Sequence, residues 1–221
     1  MLTATATKRG TGITIWGDDE DLRYLYQLVH SLTPYSEWTH DAIGGRIMIL
    51  HSFAYEVRHA YQDDRLKKAD PVVEGIHQTA LGFNYSWIDI IFTLCCLRFN
   101  AAYAVTDEYD QSTLDQLEKI TKQALHEFDP KGAKEIEEFI GPHRLNVNHP
   151  WIWQFNQQLE IDYMEMNVNK TRFRNIPDLL RRTEKWSPLH SFLTGKIKAT
   201  AKELNCEVYE IEYLEYPNIQ W

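Results

Sequence analysis

Cysteine is scarce in this sequence: three residues in 221, with Cys95 and Cys96 adjacent and Cys206 far away. That count excludes a disulfide framework, and the spacing offers no Cys-x-x-Cys pair for a zinc or redox site. A reducing, cytoplasmic setting is the expectation. Long apolar runs are missing as well. The longest candidate, Ile88 to Leu97, is broken by Asp89 and followed by Arg98, well short of the roughly 18 apolar residues of a membrane span. The opening MLTATATKRG carries no apolar signal core. Positive charge is in deficit: 23 Lys and Arg face 32 Asp and Glu, a formal net charge of −9. Such a balance argues against a chain whose main work is gripping a phosphate backbone. There is no GxSxG and no HExxH, and Gly195-Lys196 lacks both the upstream glycine and the following Ser or Thr of a phosphate-binding loop. Neither a metal site nor a cofactor is expected.

What is present is apolar area. Hydrophobic residues make up 43% and aromatics 13% of the chain, enough to offset the entropy of ordering a backbone. A chain of this length buries about 70% of its unfolded surface, and one globular domain over residues 1–221 with one continuous core is expected. TGITIW (Thr11 to Trp16) alternates like a strand and stops at Gly17. Asp18 or Asp19 can cap a following helix with Leu22, Leu25, Tyr26, Val29 and Leu32 at helical spacing. A second helix is predicted from about Gly45 to Gln62. Tyr85 to Val105 is apolar nearly all round, as a covered central helix would be. Further helices follow: one holding Leu114 to Leu125, a short one at Ala133 to Ile140, one from Pro150 to Met166, and two broken by Pro177 and Pro188. Val208, Ile211 and Tyr213 read as a closing strand. The expected fold is mainly α (α+β), a helical bundle around the central apolar helix with a small sheet formed by the N- and C-terminal strands.

The densest polar constellation is HSFAYEVRHAYQDDR, His51 to Arg65. On a helix, His51, Tyr55, Arg58, His59 and Gln62 share a stripe beside the apolar one. A His and an Arg projecting together could shuttle a proton and steady a developing anion; the plain alternative is a buried hydrogen-bond network with Arg58 or Arg65 paired to Asp89 or Glu56. Asp89 and Arg98 interrupt an apolar helix and must find partners. Asp89, Thr93, Cys96 and Asn100 fall on one side of it and could line a polar seam, the best single place for a pocket. Buried free cysteines such as Cys95 are packing groups rather than nucleophiles.

Arg144 and His149, in HRLNVNHP, have a spacing that resembles the Arg-x4-His element of the HEPN ribonucleases, whose dimers place Arg and His around an RNA phosphate. Here Leu145 follows the arginine and Pro150 the histidine, which sets both in a loop or helix start; the alternative is a polar loop with a helix cap from Asn148 or His149. A basic run, Lys170, Arg172, Arg174, Arg181, Arg182 and Lys185, could receive an acidic partner or a nucleic acid strand, with Phe173 and Trp186 as stacking surfaces, or be a solvated helix face. The acids at Asp18 to Asp21 suit a helix start, since carboxylates on consecutive residues cannot all converge on a metal.

The segments TGITIWGDDEDLRYLYQLVHSL, YEVRHAYQDDR, FNYSWIDIIF, IDYMEM and YLEYPNIQW together resemble an uncharacterised family of bacterial proteins, a domain of unknown function, over almost the whole chain. The resemblance implies a bacterial cytoplasmic protein of one domain and carries over no activity and no catalytic residue. The expectation for function is a non-enzymatic interaction protein, an immunity, antitoxin-like or accessory subunit of a conflict system, binding a protein partner through aromatics such as Trp38, Trp151, Trp186 and Trp221. Nucleic acid is possible but not favoured, a homo-oligomer is possible, and no membrane partner is expected. The alternative is a metal-independent nuclease or related phosphate-ester hydrolase using Arg58 with His59 or Arg144 with His149.

Overall fold

The chain begins as a β-hairpin, because Gly10 supplies the positive φ (64°) that its turn requires. Strands β1 (Thr3–Ala6) and β2 (Gly12–Gly17) pair antiparallel, and β2 pairs on its other side with β4 (Thr79–Ser86), which in turn holds β3 (Leu66–Ala69). The sheet order is β1-β2-β4-β3. In this computed structural model residues 1–33, 41–69, 79–141 and 145–221 are described. Ile13 lies opposite Tyr85 and Ile15 opposite Phe83, all buried against the helices. Gly12 has no room for a side chain: a Cβ there would meet the carbonyl oxygen of Tyr85 at 1.9 Å.

Helices supply most of the mass. They are α1 (Asp19–Ser31), α2 (Ala42–Tyr61), α3 (Trp87–Ala101), α4 (Glu108–Phe128), α5 (Pro130–Ile136), α6 (Ile152–Glu165), α7 (Lys170–Arg174), α8 (Ile176–Arg181) and α9 (His190–Leu204). Local chemistry sets their starts. Asp18 and Asp107 each cap a helix while an aspartate three residues on returns the bond, two capping boxes that also place acids at the positive end of α1 and α4. Helix α3 is covered nearly all round, as its unbroken apolar run predicts, and it lies in a core cluster extending from Leu2 to Ile211. Helix α2 approaches α6 closely because Gly45 has no side chain; a Cβ there would stand 2.5 Å from Ile152.

Two expectations are corrected. The sheet partner of the N-terminal strands is Thr79–Ser86, not the end of the chain. Val208–Glu210 is a 3-10 turn, closed by Glu210 accepting from the Glu207 amide at 2.7 Å, and residues 211–221 run on without strand pairing. The reason is visible in burial: Val208 and Ile211 are buried and Tyr213 is exposed, a spacing of three rather than the two of a strand. The second correction is the start of the central helix, which begins at Trp87 rather than Tyr85. A continuous apolar run conceals the boundary between a buried strand and a buried helix; the marker is Ser86, whose hydroxyl accepts from the Asp89 amide at 3.0 Å and caps α3.

Candidate active site at the start of the central helix

The capping of α3 by Ser86 projects Asp89, in the first turn, toward α6. There it meets Glu160, which is only 4% exposed, and the two carboxyl groups are hydrogen-bonded to each other. Above them lies a cleft of about 710 Å³. One wall is the second half of α2 and the chain after it (Ser52, Glu56, Asp64, Arg65); β4 adds Asn84 and Tyr85, α6 adds Trp153 and Gln157, and residues 213–221 close the far side with Tyr213, Tyr216 and Trp221. The closing segment is held there by side chains that read its backbone. Trp153 Nε1 donates to the Glu212 carbonyl at 2.6 Å, Gln154 Nε2 to Ile211 at 3.0 Å, and Gln157 Oε1 accepts from the Leu214 amide at 2.9 Å. Thr11 secures the end by donating to the Gln220 carbonyl at 2.6 Å.

The electrostatics of the floor are unusual for a protein interior. Burial pushes both carboxyls up, Asp89 to about 6 and Glu160 well above the ordinary glutamate range, and for Glu160 the facing charge of Asp89 adds to the effect. Two acids in contact cannot both be ionised cheaply, so the pair holds one proton near neutral pH, with Glu160 its stronger holder. Asn156 Nδ2 donates to Asp89 Oδ1 at 2.6 Å, and the Ser86 hydroxyl contacts both carboxyls. The Tyr216 hydroxyl bonds Glu160, and burial beside these acids holds that phenol far above its usual range. Tyr85 is likewise held up by burial and by Asp89. Arg65, the one basic residue lining the cleft among the described residues, is engaged by Glu56 through two bonds of 2.7 and 3.1 Å. The arrangement can therefore give and take a proton at one point.

Of the residues singled out by sequence, Asp89 is at the centre. His51 and Tyr55 line a neighbouring hollow of about 440 Å³ that shares Ser52, Trp153 and Tyr213 with the cleft. His51 stacks loosely with His30, ring centroids 5.8 Å apart, and burial followed by that neighbour lowers its basicity. Arg58 and His59 lie behind the rim: His59 Nδ1 is 3.0 Å from Asp64 and its Nε2 3.4 Å from Arg58. Arg65 pairs with Glu56, not with Asp89. The expected seam along α3 is open only at its Asp89 end, since Cys96 and Thr93 are fully buried and Asn100 is consumed by Arg46 and the Leu32 carbonyl. Arg144 and Trp38 lie outside the described residues. His149 is stacked on Phe155 at 4.5 Å and accepts from the Trp151 amide, and burial lowers its basicity.

The basic run is mostly neutralised. Arg174 forks onto Asp129, Arg181 meets Asp178, Arg182 meets Asp162, and Arg172 lies buried over Tyr163. Trp151 is half-buried beneath Lys198, whereas Trp186 is 91% exposed. Sequence reasoning missed Glu160, Trp153, Gln157 and Tyr216. The available signal was the density of polar residues in α6, Gln154, Asn156, Gln157, Gln158 and Glu160 among large apolar ones, with Asn156 and Glu160 one turn apart on a single face. Among the described residues no group of three or more His, Cys, Asp or Glu could hold a metal ion, and no helix is long and apolar enough to cross a membrane. No curated protein and no solved structure matches the chain. One family model does, over residues 2–221, so the chain belongs to the family described as a domain of unknown function, DUF6904.

Proposed function

We propose that the protein is a small enzyme that performs general acid–base chemistry on a small molecule bound over Asp89 and Glu160, with hydrolysis the reaction these groups complete. The observation that carries this reading is the hydrogen-bonded carboxyl pair on the floor of a ring-lined cleft. Perturbed acids on the floor of a ligand-sized cleft are a signature of catalysis. Asp89, as carboxylate, takes a proton from an attacking water and the pair passes a proton on to the leaving group, so that the pair ends with as many protons as it began. Asn156 and Ser86 hold Asp89 in place, and Tyr216 orients Glu160. The test is hydrolysis of a panel of nitrophenyl esters, anilides and glycosides by the full chain and by Asp89→Asn and Glu160→Gln. Turnover that falls by about a hundredfold or more in both variants, with melting temperatures held, supports the reading. Turnover unchanged by either variant refutes it.

A second reading, the partner-binding protein of a bacterial conflict system, is favoured by one separate observation. Trp186, Leu189 and Phe192 are exposed together around the start of α9, with Arg182 and Lys196 over the Phe192 ring at 6.0 and 5.4 Å. Large exposed aromatics fit an interface anchor; the two cations beside them are already paired with Asp162. Co-purification of a stoichiometric partner from the native host that is lost with Trp186→Ala supports this reading; retention of the partner by that variant refutes the assignment to this patch.

A further inference from the structure

We propose that the ligand of the cleft is an organic cation, a protonated amine or guanidinium carried on an apolar or aromatic body; this deepens the preceding reading of the cleft as a ligand site and rests on it. The first ground is charge balance. Among the described residues, Glu56, Asp64, Asp89 and Glu160 line the cleft against Arg65; Arg65 is spent on Glu56 and Asp64 is bonded by His59, which leaves the Asp89–Glu160 pair without a cation. Other acids buried in this fold have cations in contact: Asp129 has Arg174, and Asp162 has both Arg182 and Lys196. Glu160 and Asp162 stand two residues apart on one helix, yet among the described residues only Asp162 is matched by positive charge. A buried acid pair without a cation is costly, and a positive ligand group supplies the missing partner.

The second ground is independent of the acids. The cleft is walled by aromatic rings, with Trp153 and Tyr213 set edge to face at 6.3 Å and 86° and Tyr216 and Trp221 beside them. The faces of such rings attract cations within about 6 Å. An anionic ligand, a phosphate ester included, would instead meet rings and like charge.

The arrangement couples binding to a proton. A cation over the pair favours the doubly ionised form, so the shared proton leaves for solvent as the ligand enters: one positive charge bound, one proton released. The groups that face the pair are Tyr85 and Ser86 from β4 and its end, Asn156 from α6, Tyr216 from the closing segment, and Glu56, Asp64 and Arg65 across the cleft, with His51 in the adjoining hollow. Tyr85 and Tyr216 stay protonated throughout, which leaves the acid pair as the source of the proton.

The experiment is calorimetric titration of the full chain with benzylammonium, benzamidinium, benzyl alcohol and benzoate, at pH 5 and 7.5 and in two buffers of different ionisation enthalpy. Expected are cations bound at least tenfold more tightly than benzyl alcohol at pH 7.5, no benzoate binding, weaker cation binding at pH 5, and release of about one proton. Asp89→Asn combined with Glu160→Gln should erase the preference for cations; Glu160→Gln alone, which keeps one carboxylate, should erase the proton release while retaining part of the preference. If benzyl alcohol binds as tightly as the cations and the variants still weaken it, the cation inference fails and the cleft reading stands. If neither cation binds, the cation inference is overturned. Binding of every probe that is absent or indifferent to both variants overturns the cleft reading as well.

Discussion

The two ends of the central helix bury charge in opposite ways. At its end, Arg98 is surrounded by Asp115, Glu118 and Gln111 of α4, and two residues on Asn100 is bonded by Arg46, whose Nη1 donates to the Val147 carbonyl and Asn148. Every charge there has a partner of opposite sign or a set of hydrogen bonds. At the start, Asp89 faces Glu160 with no cation among the described residues, beneath an open cleft. The difference teaches how to separate polar groups that hold a fold from polar groups held by it. Compensated charges tie helices together, while an uncompensated pair is retained at a cost to stability and is a candidate for chemistry.

The largest effect should come from breaking the compensated end. Arg46→Ala strands buried Asn100 and removes three hydrogen bonds, and a loss of about 3 kcal/mol is expected in urea unfolding. A loss below about 1 kcal/mol would erase the contrast. The opposite end should behave differently. Carboxyls raised in the folded state contribute stability that is full below their unfolded range near pH 4 and is lost as pH rises through about 6 for Asp89 and higher for Glu160. The native protein should therefore weaken between pH 4 and 7, by an amount on the order of 1 to 3 kcal/mol. Asp89→Asn with Glu160→Gln should flatten that part of the profile and leave the protein at least as stable at pH 7; a slope that survives in the double variant would place its origin elsewhere. Tyr216→Phe deletes one hydroxyl from Glu160 and should cost about 1 kcal/mol while moving the titration of the pair upward, a shift readable by difference titration against the parent. The smallest effect belongs to the surface: Trp186→Ala should change stability by less than about 0.5 kcal/mol, and a larger loss on thermal melting would show that the exposed ring is packed.

Much of this fold is legible in the sequence. Helix α4 announces itself through Leu114, Leu117, Ile120 and Leu125 at helical spacing, and the hairpin strand β2 through GITIW. β4 was hidden because TALGFNYS continues directly into an apolar helix, and only Ser86 marks the junction. The site was half legible. A lone aspartate in an apolar helix drew attention to Asp89, but its partner lies on α6, and periodicity along one helix says nothing about which neighbour will face it. The arginine and histidine stripe of α2 was conspicuous for local reasons: its members bond one another and Asp64 at the rim, a contact set that spacing alone can suggest. The closing segment carried the least signal, since its place depends on side chains of α6 binding its backbone, an interaction that leaves no pattern in the segment itself.

The most direct test of this account is carboxyl carbon NMR of the full chain through a pH titration, with Asp89 and Glu160 assigned by single substitution. The account predicts that Asp89 titrates near 6 and Glu160 higher, each midpoint moving when the other residue is replaced, so that the pair carries one proton near neutrality. Two independent carboxyls, both fully ionised by pH 5 and each indifferent to substitution of the other, would contradict it.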